Sequence, residues 1–209
     1  GRIVRADQLL MLFARDVLTR NPGADVVYDV KCSRNLNPLI ANHGGRPVMW
    51  KSGHSFIKQK MRETDALLGG EFSGHISFKE RRFGFDDGMY AAARLVEILS
   101  TTDPDMDMQL LAFPESISSP ELKVETSDAQ KFAIIEKLVS NADFGDGKLS
   151  TLDGLRVDFP DGWGLVRASN TTPMLILRFE ADTEEAMQSI QTQFKDQLTT
   201  VDSRLQFGF

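Results

Sequence analysis

The sequence predicts an α/β mixed-sheet domain followed by a smaller α+β domain, in which an antiparallel sheet carries helices on one face. In the first half, short strand patterns alternate with helical patterns, which is typical of an α/β layer with a mainly parallel sheet. In the second half, strand patterns follow one another directly, as in α+β proteins. Between the halves, residues 101–120 carry three prolines and little periodicity, so we interpret them as a linker or a long irregular connection. We therefore expect domains at residues 1–112 and 113–209.

The elements of the first domain follow from the spacing of its apolar residues. Helical spacing predicts four helices, at residues 7–21, 36–41, 55–64 and 87–100. Short β-rich runs predict four strands, at residues 25–30, 47–50, 66–68 and 76–78. The helix at residues 87–100 has the clearest pattern, with Met89, Ala93, Val96 and Leu99 on one side.

The second domain is predicted to have five strands and two helices. The strand patterns lie at residues 121–126, 148–152, 155–159, 163–167 and 174–179. One helix runs from Ser127 or Asp128 to about residue 141, and the other from Asp182 or Thr183 to about residue 200. The dipeptide Asp153-Gly154 is a strong signal for a two-residue hairpin turn.

The charge balance and the cysteine content exclude several classes of function. The 24 basic and 30 acidic residues give a net charge of −6, which argues against a nucleic-acid coat or a polybasic membrane binder. No apolar run approaches the roughly 20 residues of a membrane span. From the charge balance and the lack of such a run together, we expect neither nucleic acid nor a membrane as a partner. The single cysteine, Cys32, excludes a disulfide framework and fits a reducing, cytoplasmic compartment. The chain begins with Gly1 instead of Met, which indicates a processed or truncated start.

Two polar segments follow predicted strands of the first domain, at the sheet edge where open α/β sheets bind ligands. Lys31 can present a point charge to a phosphate or transfer a proton; the alternative is a solvated loop lysine. His54 lies in Lys51-Ser52-Gly53-His54-Ser55, just before a predicted helix N-terminus that can bind an anion. The alternative for this segment is an N-cap with an exposed histidine.

A third polar segment, residues 69–75, contains three glycines, which let the backbone approach a ligand closely. Glu71 and Ser73 can accept from and donate to vicinal sugar hydroxyls, and His75 can donate to a hydroxyl or a phosphate. The alternative is a glycine-rich hairpin loop.

The fourth segment, residues 167–173, lies between two predicted strands of the second domain. Arg167 can bind a phosphate bidentately, and the hydroxyl and backbone N–H groups that follow can fill the remaining phosphate lone pairs. The alternative is an ordinary turn rich in Ser, Asn and Thr.

Other motifs are absent. The three histidines and the one cysteine do not have zinc-ligand spacing. There is neither a P-loop nor a dinucleotide-binding fingerprint, which disfavours a dinucleotide-dependent oxidoreductase. The pair Asp86-Asp87 is either a metal site or, as is more common at a helix start, an N-cap.

Two of these segments carry a family resemblance. Gly70-Glu71-Phe72-Ser73-Gly74-His75 resembles the sugar-binding loop of the α-D-phosphohexomutases, and Arg167-Ala168-Ser169-Asn170-Thr171-Thr172-Pro173 resembles their phosphate-binding loop. The resemblance covers the whole chain. These enzymes have four domains around one cleft, so the resemblance implies that residues 1–112 are the sugar-binding third domain. Residues 113–209 would then be the phosphate-binding fourth domain.

The resemblance also implies a reaction and a set of substrate contacts. The reaction is the reversible interconversion of a hexose 1-phosphate and the corresponding hexose 6-phosphate through a 1,6-bisphosphosugar, where the hexose is glucose or mannose. Lys31, His54 and His75 are implied to contact substrate hydroxyls or phosphate, with one of them assisting proton transfer. The remaining implied substrate-binding residues are Glu71, Ser73, Arg167, Ser169, Asn170 and Thr171.

The family's catalytic phosphoserine loop and its aspartate-rich Mg²⁺ loop have no counterpart in this sequence. The resemblance therefore implies that an N-terminal half of the same enzyme supplies both, and that this chain is inactive alone. Two alternatives stay open: a stand-alone sugar-phosphate binding or regulatory module, and half of a phosphoglucosamine mutase. Phe72 stands where relatives that accept both glucose and mannose often carry Met, and together with His75 it favours that dual class.

Overall fold

The computed structural model describes residues 3–102 and 105–209, without the side chains of residues 106 and 111. Pro114 ends the first of two compact units and Glu115 begins the second. Among the described residues, none of the helices combines the length and the apolar character that crossing a membrane requires.

The first unit is a mixed sheet with helices, as the sequence predicts, but the sheet has five strands instead of the predicted four. Its helices are α1 (Ala6–Arg20), α2 (Leu36–Asn42), α3 (His54–Thr64), α4 (Gly88–Thr101) and α5 (Met106–Leu111). Its strands are β1 (Asp25–Asp29), β2 (Arg46–Trp50), β3 (Leu68–Gly70), β4 (Ile76–Phe78) and β5 (Phe85–Asp86), in the sheet order β2-β1-β3-β4-β5. The strand β1 is parallel to β2 and β3, whereas β4 is antiparallel to β3 and to β5. The carboxyl ends of β1, β2 and β3 therefore meet at one edge of the sheet.

The glycines of β3 are required by the packing of this unit. A Cβ at Gly70 would lie 2.7 Å from a methyl carbon of Leu10 in α1, and a Cβ at Gly69 would overlap the Sδ of Met61 in α3. Close approach of helices to both faces of β3 accounts for these two residues. The glycine content of residues 69–75 predicts either close approach of a ligand or a hairpin loop, whereas at these two positions the structure shows close approach of helices.

The apolar side of α4 is a correction to the sequence analysis. Met89 and Val96 are 86% and 66% exposed, whereas the face that packs inward contains Arg94, only 3% exposed. The Arg94 guanidinium pairs with Glu80 and Asp16 and lies 4.7 Å from the centre of the Phe78 ring. A buried arginine with carboxylate partners replaces an apolar residue on the inner face, so hydrophobic spacing alone selects the wrong side.

The segment predicted as a linker is only partly irregular. It contains α5 and the short strand β6 (Ile117–Ser118), while residues 103 and 104 lie outside the described residues. Asp105 caps α5 by accepting a hydrogen bond from the Asp107 N–H at 2.9 Å, and Phe113 is buried in the first core. These tertiary contacts and the cap outweigh the prolines that suggested a linker.

The second unit is a six-stranded antiparallel sheet with two helices on one face, which confirms the predicted α+β class. Its further elements are β7 (Leu122–Glu125), α6 (Lys131–Asn141), β8 (Lys148–Ser150), β9 (Leu155–Phe159), β10 (Gly162–Ala168), β11 (Met174–Ala181) and α7 (Glu184–Val201). The sheet order is β6-β11-β10-β9-β8, and β7 also pairs with β11. The core between sheet and helices includes Val166, Phe179 and Phe194.

The predicted two-residue turn at Asp153-Gly154 is wrong in length. The strands β8 and β9 form a hairpin in which Ser150 pairs with Arg156, and residues 151–154 form the connection. Gly154 has a φ of +81°, and a Cβ there would overlap the carbonyl oxygen of Val166. The glycine therefore serves a close backbone contact with β10 as well as the turn.

Candidate functional site

Three loops that the sequence singles out separately are tied together at the carboxyl edge of β1, β2 and β3. The Asp29 carboxylate at the end of β1 accepts hydrogen bonds from the Ser52 hydroxyl at 2.7 Å and from the Phe72 N–H at 3.0 Å. The Glu71 carboxylate accepts a hydrogen bond from the Gly53 N–H at 2.7 Å. The segments that follow β1, β2 and β3 thus form one polar site in the first unit.

Glu71 is buried at this site, with 3% of its surface exposed. Its Oε1 accepts from Gly53, while its Oε2 is buried without a hydrogen-bond partner. Burial raises the pKa of the Glu71 carboxyl; the Gly53 N–H opposes this, the nearby Asp29 charge adds to it, and Lys31 and His75 oppose it. This oxygen is an acceptor whose hydrogen-bonding capacity the protein leaves unused.

Lys31 is buried, which excludes the solvated-lysine alternative. It is 7% exposed, and its Nζ lies 3.7 Å from Oδ2 of Asp29. A buried ammonium beside a buried carboxylate is held in a defined place, unlike a lysine on a mobile surface chain.

The two histidines of the site lie next to each other. The ring centres of His54, the first residue of α3, and His75, just before β4, are 5.4 Å apart. His75 is about half exposed, and its Nδ1 lies 2.6 Å from Oδ2 of Asp86. This pairing fixes the orientation of one imidazole and directs its other nitrogen away from Asp86.

The pair Asp86-Asp87 divides its roles. Asp87 is the N-cap of α4, accepting from the Tyr90 N–H at 3.0 Å, which confirms that alternative for Asp87. Asp86 pairs with His75 instead, a contact that the sequence did not predict. Within the described ranges, there is no group of three or more His, Cys, Asp or Glu side chains that could hold a metal ion.

Ser73 and Gly74 form the exposed turn between β3 and β4. The turn is closed by a hydrogen bond of 3.0 Å from the Gly74 N–H to the Glu71 carbonyl.

In the second unit, Arg167 lies near the end of β10 and Ser169 lies in the loop that follows, and both are 6% exposed. The Arg167 Nε donates to the Asp153 carboxylate at 2.9 Å, so a neighbouring turn orients the guanidinium. Asn170 and Thr171 are exposed at the tip of the loop.

Ser169 organises this loop from within. Its hydroxyl oxygen accepts from the N–H groups of Thr171 and Thr172, at 3.3 and 3.2 Å, and from the Thr172 hydroxyl at 2.7 Å. The sequence pattern predicts that such N–H groups bind phosphate. In this structure the N–H groups of Thr171 and Thr172 are committed to Ser169.

Sequence reasoning missed Lys131 at the start of α6. It is 4% exposed, and its Nζ donates to the Thr172 carbonyl at 3.0 Å and pairs with Asp128 at 2.7 Å. It also missed Asp29, although a carboxylate ending the apolar strand Asp25–Asp29 was a visible signal. No local pattern pointed to Lys131, because its partner is 41 residues away in the chain.

Comparison with known proteins gives these loops a family. The profile of phosphoglucomutase/phosphomannomutase, alpha/beta/alpha domain III, matches residues 5–116, and that of the phosphoglucomutase/phosphomannomutase C-terminal domain matches residues 121–197. The chain is 61% identical over 209 residues to a phosphomannomutase/phosphoglucomutase of Pseudomonas aeruginosa, covering 100% of this chain and 45% of that protein. It is 56% identical over 197 residues to a phosphoglucomutase of Neisseria meningitidis, covering 93% of this chain and 43% of that protein.

A solved structure agrees with these matches. The crystal structure of a phosphoglucomutase/phosphomannomutase family protein from Burkholderia thailandensis superposes with a TM-score of 0.93 at 47% identity, covering 100% of this chain and 44% of that one. The chain thus spans less than half the length of these relatives. Both domain profiles together account for most of the residues, and the chain therefore belongs to the phosphoglucomutase/phosphomannomutase family.

Proposed function

We propose that this chain is the substrate-binding part of a cytoplasmic phosphohexomutase that reversibly interconverts hexose 1-phosphate and hexose 6-phosphate of glucose and mannose. A 1,6-bisphosphosugar is the intermediate. The observation that carries the proposal is the buried Glu71 Oε2, an acceptor without a partner inside a polar site that also holds Lys31 and two histidines. Family membership supports the reaction class.

In this proposal, Glu71 and Ser73 bind the sugar. Glu71 Oε2 accepts a hydrogen bond from one ring hydroxyl, and the Ser73 hydroxyl contacts its neighbour. The bisphosphate has to bind in two orientations, so fixed contacts must recognise what both orientations share. The 3- and 4-hydroxyls meet this condition because they exchange places when the sugar turns around.

Arg167, Ser169, Asn170 and Thr171 bind the phosphate that is not reacting. Arg167 is already oriented through Nε by Asp153, which lowers the entropy lost when the guanidinium binds an anion. Asn170 and Thr171 are exposed and so accessible to a ligand. Ser169 contributes mainly by holding the loop in shape.

Lys31, His54 and His75 contact substrate hydroxyls or phosphate. His75 is the best placed of the three for proton transfer, because Asp86 holds Nδ1 and leaves the other ring nitrogen for a substrate hydroxyl. Lys31 contributes a buried positive charge that attracts the phosphosugar.

The phosphoserine and the Mg²⁺ that the resemblance implies belong, in this proposal, to an N-terminal half of the same enzyme. The described residues of this chain offer no group of metal-ligating side chains that fits Mg²⁺. Every contact proposed for this chain therefore comes from its own side chains. Alone, the chain is expected to bind phosphosugar without turning it over.

Calorimetric titration of the chain with glucose 1-phosphate, mannose 1-phosphate, glucose and inorganic phosphate tests this function. We expect both phosphosugars to bind at least about tenfold more tightly than glucose or phosphate, because only they carry both a sugar ring for the Glu71 loop and a phosphate for Arg167. A coupled assay for glucose 6-phosphate should show no turnover. Equal affinity for phosphosugar and inorganic phosphate would contradict sugar recognition, and turnover by the chain alone would contradict its assignment as a binding part.

A further inference from the structure

We propose that Asp29 is a positioning residue that sets the geometry of the sugar-binding site by anchoring both partners of the Gly53–Glu71 hydrogen bond. This inference rests on the proposed function, because it assigns Asp29 a role in the recognition of the sugar.

Asp29 connects the three loops of the site with one carboxylate. It is fully buried, at 0% exposure. Its Oδ1 accepts from the Cys32 thiol at 3.1 Å and from the Phe72 N–H at 3.0 Å, and its Oδ2 accepts from the Ser52 hydroxyl at 2.7 Å. These donors belong to the segments after β1, β3 and β2 respectively.

The contacts of Asp29 flank the Gly53–Glu71 hydrogen bond on both sides. The Phe72 N–H belongs to the peptide unit directly after Glu71, and Ser52 directly precedes Gly53. The distance between the Gly53 N–H and the Glu71 carboxylate, 2.7 Å, is thus set by two segments that hold the same anchor. Loss of the anchor would let the loop carrying Glu71 and the turn carrying Gly53 move independently.

Asp29 does not itself face a ligand. Both carboxylate oxygens have protein donors, and Lys31 lies 3.7 Å from Oδ2. Its effect on the sugar has to pass through the Gly53–Glu71 hydrogen bond, so it is a positioning residue and not a catalytic one. A buried carboxylate that holds three donors and a cation is also poorly replaced by a neutral side chain.

The test compares Asp29→Asn with Asp25→Asn in the full chain. Asp25 is at the other end of the same strand, is similarly buried at 8% exposure, and pairs with Arg46 away from the loops. Asparagine at position 29 keeps one acceptor but places an amide donor against Ser52 or Phe72 and removes the charge beside Lys31. We expect the dissociation constant of glucose 1-phosphate to rise at least about tenfold for Asp29→Asn and less than about twofold for Asp25→Asn.

Two further readouts separate positioning from general destabilisation. In a Glu71→Gln background, Asp29→Asn should change the affinity by less than about threefold, because the effect travels through Glu71. The amide proton signals of Gly53 and Phe72 should shift on Asp29→Asn and stay in place on Asp25→Asn, without any ligand. If Asp29→Asn fails to fold, Ser52→Ala should weaken binding by about three- to tenfold, and Ser52→Thr, which keeps the hydroxyl, should restore it.

The outcomes distinguish this inference from the function on which it rests. If the unmodified chain does not bind phosphosugar, the proposed function fails. If the unmodified chain binds phosphosugar, two results overturn the positioning role of Asp29 and leave the proposed function standing. Either the Asp29 and Ser52 variants bind phosphosugar just as tightly, or the losses of affinity from Asp29→Asn and Glu71→Gln add in the double variant.

Discussion

The two carboxylate oxygens of Glu71 differ in their contacts: Oε1 accepts from the Gly53 N–H at 2.7 Å, and Oε2 is buried with no hydrogen-bond partner. A buried polar atom without a partner destabilises a fold by about 1–3 kcal/mol. The unpartnered Oε2 therefore lowers the stability of the fold, and a hydrogen bond from a ligand hydroxyl would satisfy this oxygen. Stability and binding should respond in opposite directions when this oxygen is removed.

Glu71→Gln is expected to stabilise the chain at pH 7 and to weaken phosphosugar binding about tenfold or more. Because burial raises the pKa of Glu71 in the folded chain, its contribution to stability is largest below the ordinary glutamate pKa and falls as pH rises towards the raised value. The Glu71→Gln variant does not lose stability in this way as pH rises. Its free energy of unfolding should therefore equal that of the unmodified chain near pH 4 and exceed it at pH 7. A gain of about 1 kcal/mol corresponds to roughly 2–4 °C in the thermal unfolding midpoint.

The control for this prediction is Glu63→Gln, which changes an exposed glutamate of α3 whose pKa is lowered by its bonds to Gln59 and Lys60. It should raise neither the unfolding midpoint nor the dissociation constant. A lower midpoint for Glu71→Gln at pH 7 would contradict the cost assigned to the buried oxygen.

Asp86→Asn is expected to weaken phosphosugar binding by about three- to tenfold, because the His75 ring loses the carboxylate that orients it. A carboxylate acceptor requires the proton on Nδ1, whereas an asparagine amide can also donate to that nitrogen. Long-range ¹H–¹⁵N spectra should therefore show the Nδ1–H tautomer of His75 in the unmodified chain and a mixture of tautomers in the variant.

The matched control is Asp87→Asn. It removes a carboxylate charge at the neighbouring residue but keeps a good N-cap on α4, so His75 should be unaffected. Identical spectra for both variants would remove Asp86 from the site.

The sequence predicts those features of the site that reside in local patterns. The predicted strand ends at Val30, Trp50 and Leu68 placed the polar segments at one edge of a sheet, and the structure brings Lys31 and His54 to that edge. The two-domain α/β and α+β pattern was visible because periodicity changes from alternating helices and strands to consecutive strands.

The features that the sequence could not predict depend on partners distant in the chain. Arg94 enters the first core because Asp16 and Glu80, from other elements, neutralise it. Asp29 connects the loops of the site only through hydrogen bonds from Ser52 and Phe72, which are distant from it in the chain. Such contacts leave no periodic signal, because a single side chain and not a face of an element determines them.

Arg167→Ala is expected to weaken phosphosugar binding by about 1.5–3 kcal/mol, the range for hydrogen bonds to charged groups. Arg167→Lys should recover only part of this loss, since an ammonium keeps the charge but not the two-pronged geometry, and it loses the Nε contact to Asp153. Arg204→Ala, at an exposed arginine of the same unit, is the control for net charge. Calorimetry that finds equal affinities for Arg167→Ala and Arg204→Ala would exclude Arg167 from the phosphate site.

Lys131→Met should loosen the loop after β10. It removes the hydrogen bond to the Thr172 carbonyl while keeping an unbranched chain in a buried position. We expect a loss of affinity for phosphosugar of about three- to tenfold and faster amide exchange at Thr171 and Thr172. Lys137→Met, at an exposed position of the same helix, should change neither. Unchanged exchange in the Lys131 variant would show that Ser169 holds the loop without help.

Gly154→Ala tests whether the hairpin turn supports Arg167 through backbone contact. Gly154 and Gly145 both have positive φ, at +81° and +56°, so alanine costs about 1–2 kcal/mol of backbone strain at either position. At Gly145 the added methyl meets no atom within 4 Å, whereas at Gly154 it would lie 2.7 Å from the Arg167 Cα and overlap the Val166 carbonyl. The Gly154 variant should therefore lose at least about 2 kcal/mol more stability than Gly145→Ala. Because Asp153 moves with the turn, its contact with Arg167 should weaken, and phosphosugar affinity should fall only in the Gly154 variant. Chemical denaturation measures the loss of stability, and calorimetry measures the loss of phosphosugar affinity. Equal phosphosugar affinities of the two variants would show that the turn does not position Arg167.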